Sequence, residues 1–257
     1  MPTSVDLSGD PPEWELRLAQ LLQDLYDGGV RRVVRTPRKT VTAASALLRL
    51  PMLTLDLDDS LEGRAIRGHL SRISSKLGWL FRQKTLADVL AVPAEAGDYV
   101  QGRSRQTLRR KVRQAEKAGI TWREENSAEE RARLLKKLAE WERVHPLEQY
   151  RIDDPQLDYL VDFRLWLVAE SRSGEPLLLA AIPVSGQWAL LRYFRSIGAG
   201  DEQSLARYYM TKVLVEELSK RGVRFLIDSH TPHLVPSGLR HFQRMTGWRL
   251  ARLRFAS

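Results

Sequence analysis

The chain has 257 residues, with 41 Lys and Arg against 32 Asp and Glu, a formal net charge of +9 and no cysteine. The lack of cysteine excludes disulfides, thiolate metal sites and a cysteine nucleophile and favours the cytoplasm; the five histidines have no metal-ligand spacing, so no metal is expected. An apolar content of 43% suits a packed globular protein, and the positive charge favours an anionic partner such as nucleic acid, a nucleotide or a membrane surface.

The first 97 residues contain short helical and β-like segments. After a polar arm, residues 13–26 have the apolar spacing of a helix that ends at Gly28 and Gly29. β-like segments are expected at 30–35 and 52–57, helices near 42–50 and 60–74, and a hairpin of 77–81 with 87–92. No apolar run is long enough to cross a membrane and the N-terminus has no signal-peptide pattern, which predicts a cytoplasmic protein without integral membrane association.

A strongly basic segment, GRSRQTLRRKVRQAEKAGI, occupies residues 102–120. Leu108, Val112 and Ala115 form an apolar stripe, which predicts a helix over about 104–118 that ends at Gly119. The basic residues on its other faces suit a phosphate backbone, and the alternative is a solvated face paired with Glu124, Glu125, Glu129 and Glu130. The candidate phosphate contacts are Arg103, Arg105, Arg109, Arg110, Lys111, Arg113 and Lys117.

The second half of the chain alternates strands and helices. A short strand near 120–125 precedes a helix from the N-cap Ser127 to about Val144. Residues 165–171, 176–184 and 187–196 predict a meander of three consecutive antiparallel strands. A loop at 198–203, a helix at 204–222 and a strand at 223–229 follow, and loops at the ends of such strands often face a ligand. A short helix ending at Gly247 and a terminal strand complete the chain.

Three strings make residues 98–257 resemble the GNAT acyltransferase superfamily, most closely its Fem-like branch: DYVQGRSRQTLRRKVRQAEKAGI, SLARYYMTKVLVEELSKRGVRFLIDS and GLRHFQRMTGW. The resemblance implies an α/β (α+β) fold with a mixed, largely antiparallel sheet flanked by helices. It makes residues 98–257 the acyltransferase domain and residues 1–97 an N-terminal α/β portion, which is either a truncated second GNAT-like half, the favoured interpretation, or an accessory layer on the same sheet. It also implies amide formation on a small-molecule or peptide acceptor, with aminoacyl-tRNA as co-substrate and no bound cofactor.

The loop SIGAGDEQ departs from the family pattern. GNAT enzymes that use acyl-CoA hold the pyrophosphate on a Gly-rich loop, and Gly198 and Gly200 are followed here by Asp201 and Glu202. Two carboxylates at a helix N-terminus disfavour a pyrophosphate, so a tRNA donor is favoured and acyl-CoA remains an alternative. A non-catalytic RNA-binding module on a GNAT-like scaffold is a further alternative, although no recognisable RNA-binding motif is present.

The candidate site residues occupy strand ends, loops and the helix after the donor loop. Asp228 ends the apolar strand RFLID and His230 follows it; the alternative is a turn Asp beside a surface His. Tyr208 and Tyr209 cannot share a helix face, so one is expected in the core and the other at the site. The loop at 145–154 corresponds by resemblance to the acceptor side, with an ordinary surface loop as the alternative. The candidates are Asp228, His230 and Tyr208 for catalysis, Glu148, Tyr150 and Arg151 for the acceptor, and Arg192, Arg195 and Arg207 for the donor.

Overall fold

The computed structural model describes residues 7, 9, 11–27, 35–76, 85–148, 151–232 and 235–256. Most of the predicted β-like segment at 30–35, and all of the predicted segment at 77–81, lie outside these residues. The described part of the chain contains seven α-helices: α1 Glu13–Asp27, α2 Pro37–Arg49, α3 Leu61–Lys76, α4 Gln106–Ala118, α5 Ala128–Arg143, α6 Asp201–Lys220 and α7 Ser237–Thr246.

The strands form two sheets. The strands are β1 Met52–Leu55, β2 Thr85–Ala91, β3 Thr121–Glu124, β4 Leu165–Glu170, β5 Pro176–Ile182, β6 Val184–Ser185, β7 Trp188–Leu191, β8 Tyr193–Ser196, β9 Phe225–Asp228 and β10 Arg249–Phe255. The six-stranded sheet has the order β1-β10-β2-β9-β7-β6, and the four-stranded sheet has the order β3-β4-β5-β8. The second sheet is antiparallel throughout, whereas the first includes the parallel pairs β1 with β10 and β7 with β9.

Helices cover both faces of the sheets. Buried residues of α4 and α6 pack against both sheets in one cluster, which includes Leu108, Met210 and Leu226. Helix α3 covers the opposite face of the six-stranded sheet, and α5 covers the opposite face of the four-stranded sheet. This arrangement confirms the expected mixed α/β fold with a largely antiparallel sheet flanked by helices, and it is consistent with a GNAT-like fold.

One run of chain, residues 188–196, belongs to both sheets. Its first part, β7, pairs in parallel with β9 up to the Leu191–Asp228 pair, and its second part, β8, pairs with β5. At the change, the Arg192 N–H donates to Leu190 O over 2.6 Å, a tight turn that interrupts the ladder. The prediction that residues 187–196 form the third strand of one meander is therefore wrong for β7. Only Tyr193–Ser196, which is β8, pairs with β5 as the third strand. The two sheets part at the carboxyl ends of β7 and β9.

Strands from the first 97 residues complete the six-stranded sheet. β2 lies between β10 and β9, and β1 pairs with β10 at the edge. In addition, the Glu62 carboxylate of α3 accepts hydrogen bonds from the backbone N–H of Arg164 and Val184, at 2.6 and 3.4 Å. Strands on both sides of the expected boundary at residue 97 thus share one sheet and one core.

Gly247→Ala is expected to lower the free energy of unfolding by about 2–4 kcal/mol. Gly247 ends α7 with φ +92°, and a Cβ there would lie 2.5 Å from Cζ of the buried Arg105. Gly222→Ala is the matched control, because Gly222 has φ +74° and open space around its Cα. Urea unfolding measures both variants. Equal losses in the two would show that the contact with Arg105 contributes nothing.

Candidate functional site

Asp228 is held at the point where the two sheets part. It is the last residue of β9, and its side chain is only 3% exposed. Its Oδ2 accepts a hydrogen bond from Gln243 Nε2 on α7 at 2.7 Å, and its Oδ1 accepts one from the backbone N–H of His230 at 2.8 Å. The carboxylate is therefore shielded from water, fixed in orientation, and directed at the next side chain, His230.

His230 is the exposed partner of this buried carboxylate. Its Nδ1 lies 2.8 Å from Asp228 Oδ1, and 43% of its side chain is exposed. When Nδ1–H donates to Asp228, the lone pair is on Nε2, which makes that nitrogen a proton acceptor. An exposed imidazole oriented by a buried carboxylate is the arrangement that general-base catalysis requires.

Three further residues around this pair were not among the sequence candidates. Gln243 binds the Asp228 carboxylate, and His69 of α3 places Nε2 2.9 Å from Ser229 O, in the turn between Asp228 and His230. Asp88, inside β2, is buried next to Asp228; burial first, and the Asp228 charge second, raise its pKa to about 8. The signal for Asp88 was a lone acidic residue inside the apolar strand ADVLAV.

Helix α6 carries two other candidates, Arg207 and Tyr208. The Tyr208 ring lies 5.1 Å from that of Phe242, in an edge-to-face arrangement, and Phe242 precedes Gln243. Arg207 Nη2 donates to Ser196 Oγ at 3.4 Å. Tyr209 is also half-buried against the same core, and burial raises its pKa. The expectation of one core and one site tyrosine does not match these positions, since both rings pack partly against the core.

Arg192 and Arg195 lie on the α5 side of the four-stranded sheet. The Arg192 guanidinium is 5.0 Å from the centre of the Tyr159 ring, and Arg195 Nε is 4.0 Å from Glu142 Oε1 on α5. The Tyr193 hydroxyl donates to the same Glu142 oxygen, and burial together with that contact raises the tyrosine pKa well above its usual range. Arg195 thus contacts α5 and Arg192 contacts Tyr159 in the turn before β4, whereas Arg207 lies on α6.

The acceptor candidates lie in an exposed loop after α5. Arg151 donates from its backbone N–H to Glu148 O at 3.0 Å and from Nε to His145 O at 2.8 Å. Both Glu148 and Arg151 are exposed. Tyr150 lies outside the described residues.

The candidate donor loop is partly filled by the protein itself. Gln203 Nε2 donates to Ile197 O at 3.2 Å, and a Cβ at Gly198 would lie 2.9 Å from that nitrogen. Asp201 and Glu202 form the first turn of α6, where their charges complement the helix dipole. A groove of about 610 Å³ borders the loop, although Asp228 is not part of its lining. The loop interior and the helix N-terminus are thus both poorly suited to a pyrophosphate.

The basic residues around α4 have different environments. Arg105 precedes the helix in a 3₁₀ turn and is buried beside Tyr99, with its guanidinium 5.8 Å from the ring centre. Arg109 donates from Nη1 to the carbonyls of Val100 and Gly102, at 2.6 Å each, and so holds the preceding loop. Lys111 is half-buried. The exposed members are Arg103, Arg110, Arg113 and Lys117.

Most of the acidic residues that could have neutralised the basic face of α4 form ion pairs with arginines outside that helix. Glu124 binds Arg221 at 2.8 Å, and Glu130 binds Arg133 at 2.6 Å. Glu125 pairs with Arg123. Three of the four acids named for a solvated, paired helix face are thus engaged by arginines outside α4.

The sequence matches no protein-family model and no curated protein. Among solved structures, it is similar to the C-terminal domain of a protein assigned as a lysylphosphatidylglycerol synthetase from Agrobacterium fabrum (14% identity, TM-score 0.48, 66% of this chain and 61% of that one). It is also similar to L-PGS from Bacillus licheniformis (18%, 0.46, 66% and 60%). A conserved Enterococcus faecalis protein of unknown function, assigned as an N-acyltransferase, is a third match (6%, 0.35, 77% and 42%).

The chain spans about three fifths of the length of the first two structures. At these TM-scores the likenesses carry no argument about activity. Among the described residues, no cluster of three or more His, Cys, Asp and Glu side chains is placed to hold a metal ion. The helices in the same part of the chain are all too short or too polar to cross a membrane.

Proposed function

We propose that this chain is an acyltransferase that forms an amide bond at the Asp228–His230 pair, and that an aminoacyl-tRNA is its donor. The observation that carries the proposal is the position of the pair at the carboxyl end of β9, where the neighbouring strand leaves for the other sheet. In open α/β sheets, such a switch point is where ligands bind. The carboxylate and imidazole supply the proton acceptor that amide formation needs.

The proposed reaction needs two proton transfers and no covalent enzyme intermediate. The neutral acceptor amine attacks the acyl carbonyl, and His230 Nε2 takes a proton from its nitrogen as the C–N bond forms. Asp228 stabilises the imidazolium that results, and the ester C–O bond then breaks. The proton passes from His230 to the departing hydroxyl oxygen, which returns the imidazole to its starting state.

Two features favour tRNA over acyl-CoA as the donor. Gln203, Asp201 and Glu202 occupy the places where a pyrophosphate would bind. The exposed cations of α4 suit a longer polyanion, and α4 contacts α7, the helix that carries Gln243. Acyl-CoA remains the second candidate because Gly198 and Gly200 keep the glycine spacing of the loop.

The test is to incubate the protein with labelled aminoacyl-tRNA, or with labelled acetyl-CoA, and a panel of primary amines. We expect label to move from tRNA to an amine. Transfer from acetyl-CoA alone would make acyl-CoA the donor. Salt-sensitive tRNA binding with no transfer to any amine would contradict the enzyme and favour an RNA-binding module.

The exposed face of α4 gives a separate prediction about tRNA binding. The triple variant Arg110→Ala, Arg113→Ala, Lys117→Ala is expected to weaken tRNA binding and to reduce the slope of log K against log salt by about two, because phosphate contacts are lost. A matched control on α5 removes the same charge: Arg133→Ala, Lys136→Ala, Lys137→Ala. Filter binding at several salt concentrations measures both, and equal effects would exclude α4 as a specific contact.

A further inference from the structure

Asp88 is a carboxyl group in the interior of the six-stranded sheet. It lies in β2, with 6% of its surface exposed and Leu250 of β10 opposite it on one side. On the other side lies β9, which is antiparallel to β2 and pairs Ile227 with Val89. Continuing that register by one residue places Asp228 opposite Asp88. Side chains directly opposite each other in an antiparallel pair have Cβ atoms about 5 Å apart. Two carboxyl groups from neighbouring strands are therefore buried side by side.

Both carboxyl groups face the same helices. Leu90 and Leu226, each two residues from its aspartate along the strand, belong to the core cluster under α4 and α6. From α7, Gln243 Nε2 donates to Asp228 Oδ2 at 2.7 Å, and the same amide lies near enough to Asp88 to lower its pKa slightly against the effect of burial. A carboxyl pair that shares one neutral neighbour requires some other compensation for its charge.

The charged groups around Asp88 do not balance two negative charges. Asp228 on β9 and Glu15 on α1 are acidic, and Arg240 on α7 is the basic group that acts on Asp88. Glu15 is already engaged by the Leu250 N–H and by Arg249. Asp88 Oδ2 is buried without a hydrogen-bond partner among the described residues. A buried charged oxygen without a partner is costly, whereas a protonated one becomes a donor.

We propose that Asp88 is a positioning residue of the Asp228–His230 site: the two carboxyl groups hold one proton, on Asp88, so that Asp228 keeps the negative charge that orients His230. Adjacent buried carboxylates cannot both ionise readily, and the environment decides which one keeps the proton. Asp228 has the better hydrogen-bonded position, because its carboxylate accepts from the His230 N–H and from Gln243 and contacts the His230 ring, whereas Asp88 Oδ2 has no partner among the described residues. Burial, reinforced by the Asp228 charge, raises the pKa of Asp88.

The role of the Asp88–Asp228 carboxyl pair in acyl transfer rests on the proposed function. The existence of the carboxyl pair and of its shared proton does not. In a purely structural Asp88, burial alone would raise the pKa, and that pKa would be insensitive to the charge of Asp228. A shared proton instead couples the ionisation of Asp88 to Asp228 and, through it, to the ring of His230. That coupling is visible without any substrate.

The experiment is a pH titration of the substrate-free protein by NMR, with ¹³C-labelled Asp carboxyl groups and ¹⁵N-labelled His rings. We expect Asp88 to titrate with a midpoint near 8, far above the ordinary Asp value of 3.8. The His230 ring is expected to show the Nδ1–H tautomer, and its ¹⁵N signals are expected to change at the Asp88 midpoint. In Asp228→Asn, the midpoint of Asp88 is expected to fall by about one pH unit or more.

An Asp88 midpoint below pH 5, or one that Asp228→Asn leaves unchanged, would overturn the shared proton. Asp88→Asn, which preserves the shape, should abolish the change of the His230 signals at the wild-type Asp88 midpoint. If Asp228→Asn does not fold, this comparison decides: His230 signals that still change at that pH in Asp88→Asn would overturn the shared proton. A high Asp88 midpoint in a protein that transfers no acyl group would refute the proposed function but not the shared proton. Acyl transfer by a protein whose Asp88 titrates at acidic pH would refute the shared proton but not the proposed function.

Discussion

Asp228→Asn is expected to reduce kcat/KM for acyl transfer by about 10³–10⁴-fold, which corresponds to about 4–5.5 kcal/mol of transition-state stabilisation. The change removes the negative charge that stabilises the imidazolium of His230. An Asn side chain also has an NH₂ group, and with its oxygen held by Gln243 that group would face His230 Nδ1. The His230 ring would then carry its hydrogen on Nε2. That nitrogen could no longer accept the proton of the acceptor amine.

The binding of tRNA should not change in this variant, because the Asp228 side chain is 3% exposed and α4 is unaltered. Steady-state transfer and filter binding on the same preparation separate the two effects. Asp162→Asn, at an exposed position, is the matched control and should keep full activity. A kcat/KM within about threefold of wild type in Asp228→Asn would exclude the carboxylate from the reaction.

The free energy of unfolding is expected to fall as the pH rises from about 4 to about 8, by up to about 5 kcal/mol. In the folded protein, burial and the Asp228 charge raise the pKa of Asp88 to about 8, whereas the unfolded chain releases this proton near 3.8. The folded state binds more protons than the unfolded state between these values, so each pH unit costs about 1.4 kcal/mol at most. The stabilisation is complete below about pH 4 and is lost as the pH passes 8.

Glu130 is a carboxyl group with the opposite behaviour. The hydrogen bond from Arg133 keeps its pKa below the ordinary value of 4.5, so its ionisation affects stability only at lower pH and in the opposite direction. Histidines change charge over the same interval, so the difference between wild type and Asp88→Asn in urea unfolding from pH 5 to pH 8 isolates Asp88. Asp88→Asn should remove the slope and Asp162→Asn should retain it. A wild-type protein whose stability is constant over this interval would contradict the buried, protonated Asp88.

The parts of the fold that follow from local signals were predicted well. The helices expected at 104–118, 127–144 and 204–222 are present as α4, α5 and α6, because glycines, caps and apolar spacing lie within the segments themselves. The position of Asp228 at a strand end also followed from its own neighbourhood, since the three apolar residues Phe225–Ile227 precede it and a polar turn follows it.

The remaining features depend on contacts between distant parts of the chain. Arg192 marks a change of sheet because β7 pairs with β9 and β8 pairs with β5, a choice that strand periodicity does not encode. In the sequence, nothing distinguishes Arg105 from the other basic residues of its segment. In the fold its side chain is buried, with Gly247 in close contact. Asp88 has its partner on a strand far along the chain, so only the sheet register brings the two carboxyl groups together.

The most direct test of the central claim is single-turnover transfer of a labelled aminoacyl group from tRNA to an amine, by wild-type protein and by His230→Gln. We predict that the wild type forms the labelled amide and that His230→Gln forms it at least about 100-fold more slowly, with unchanged tRNA binding, because the proton acceptor is lost. Equal rates in the two proteins would contradict catalysis at the Asp228–His230 pair.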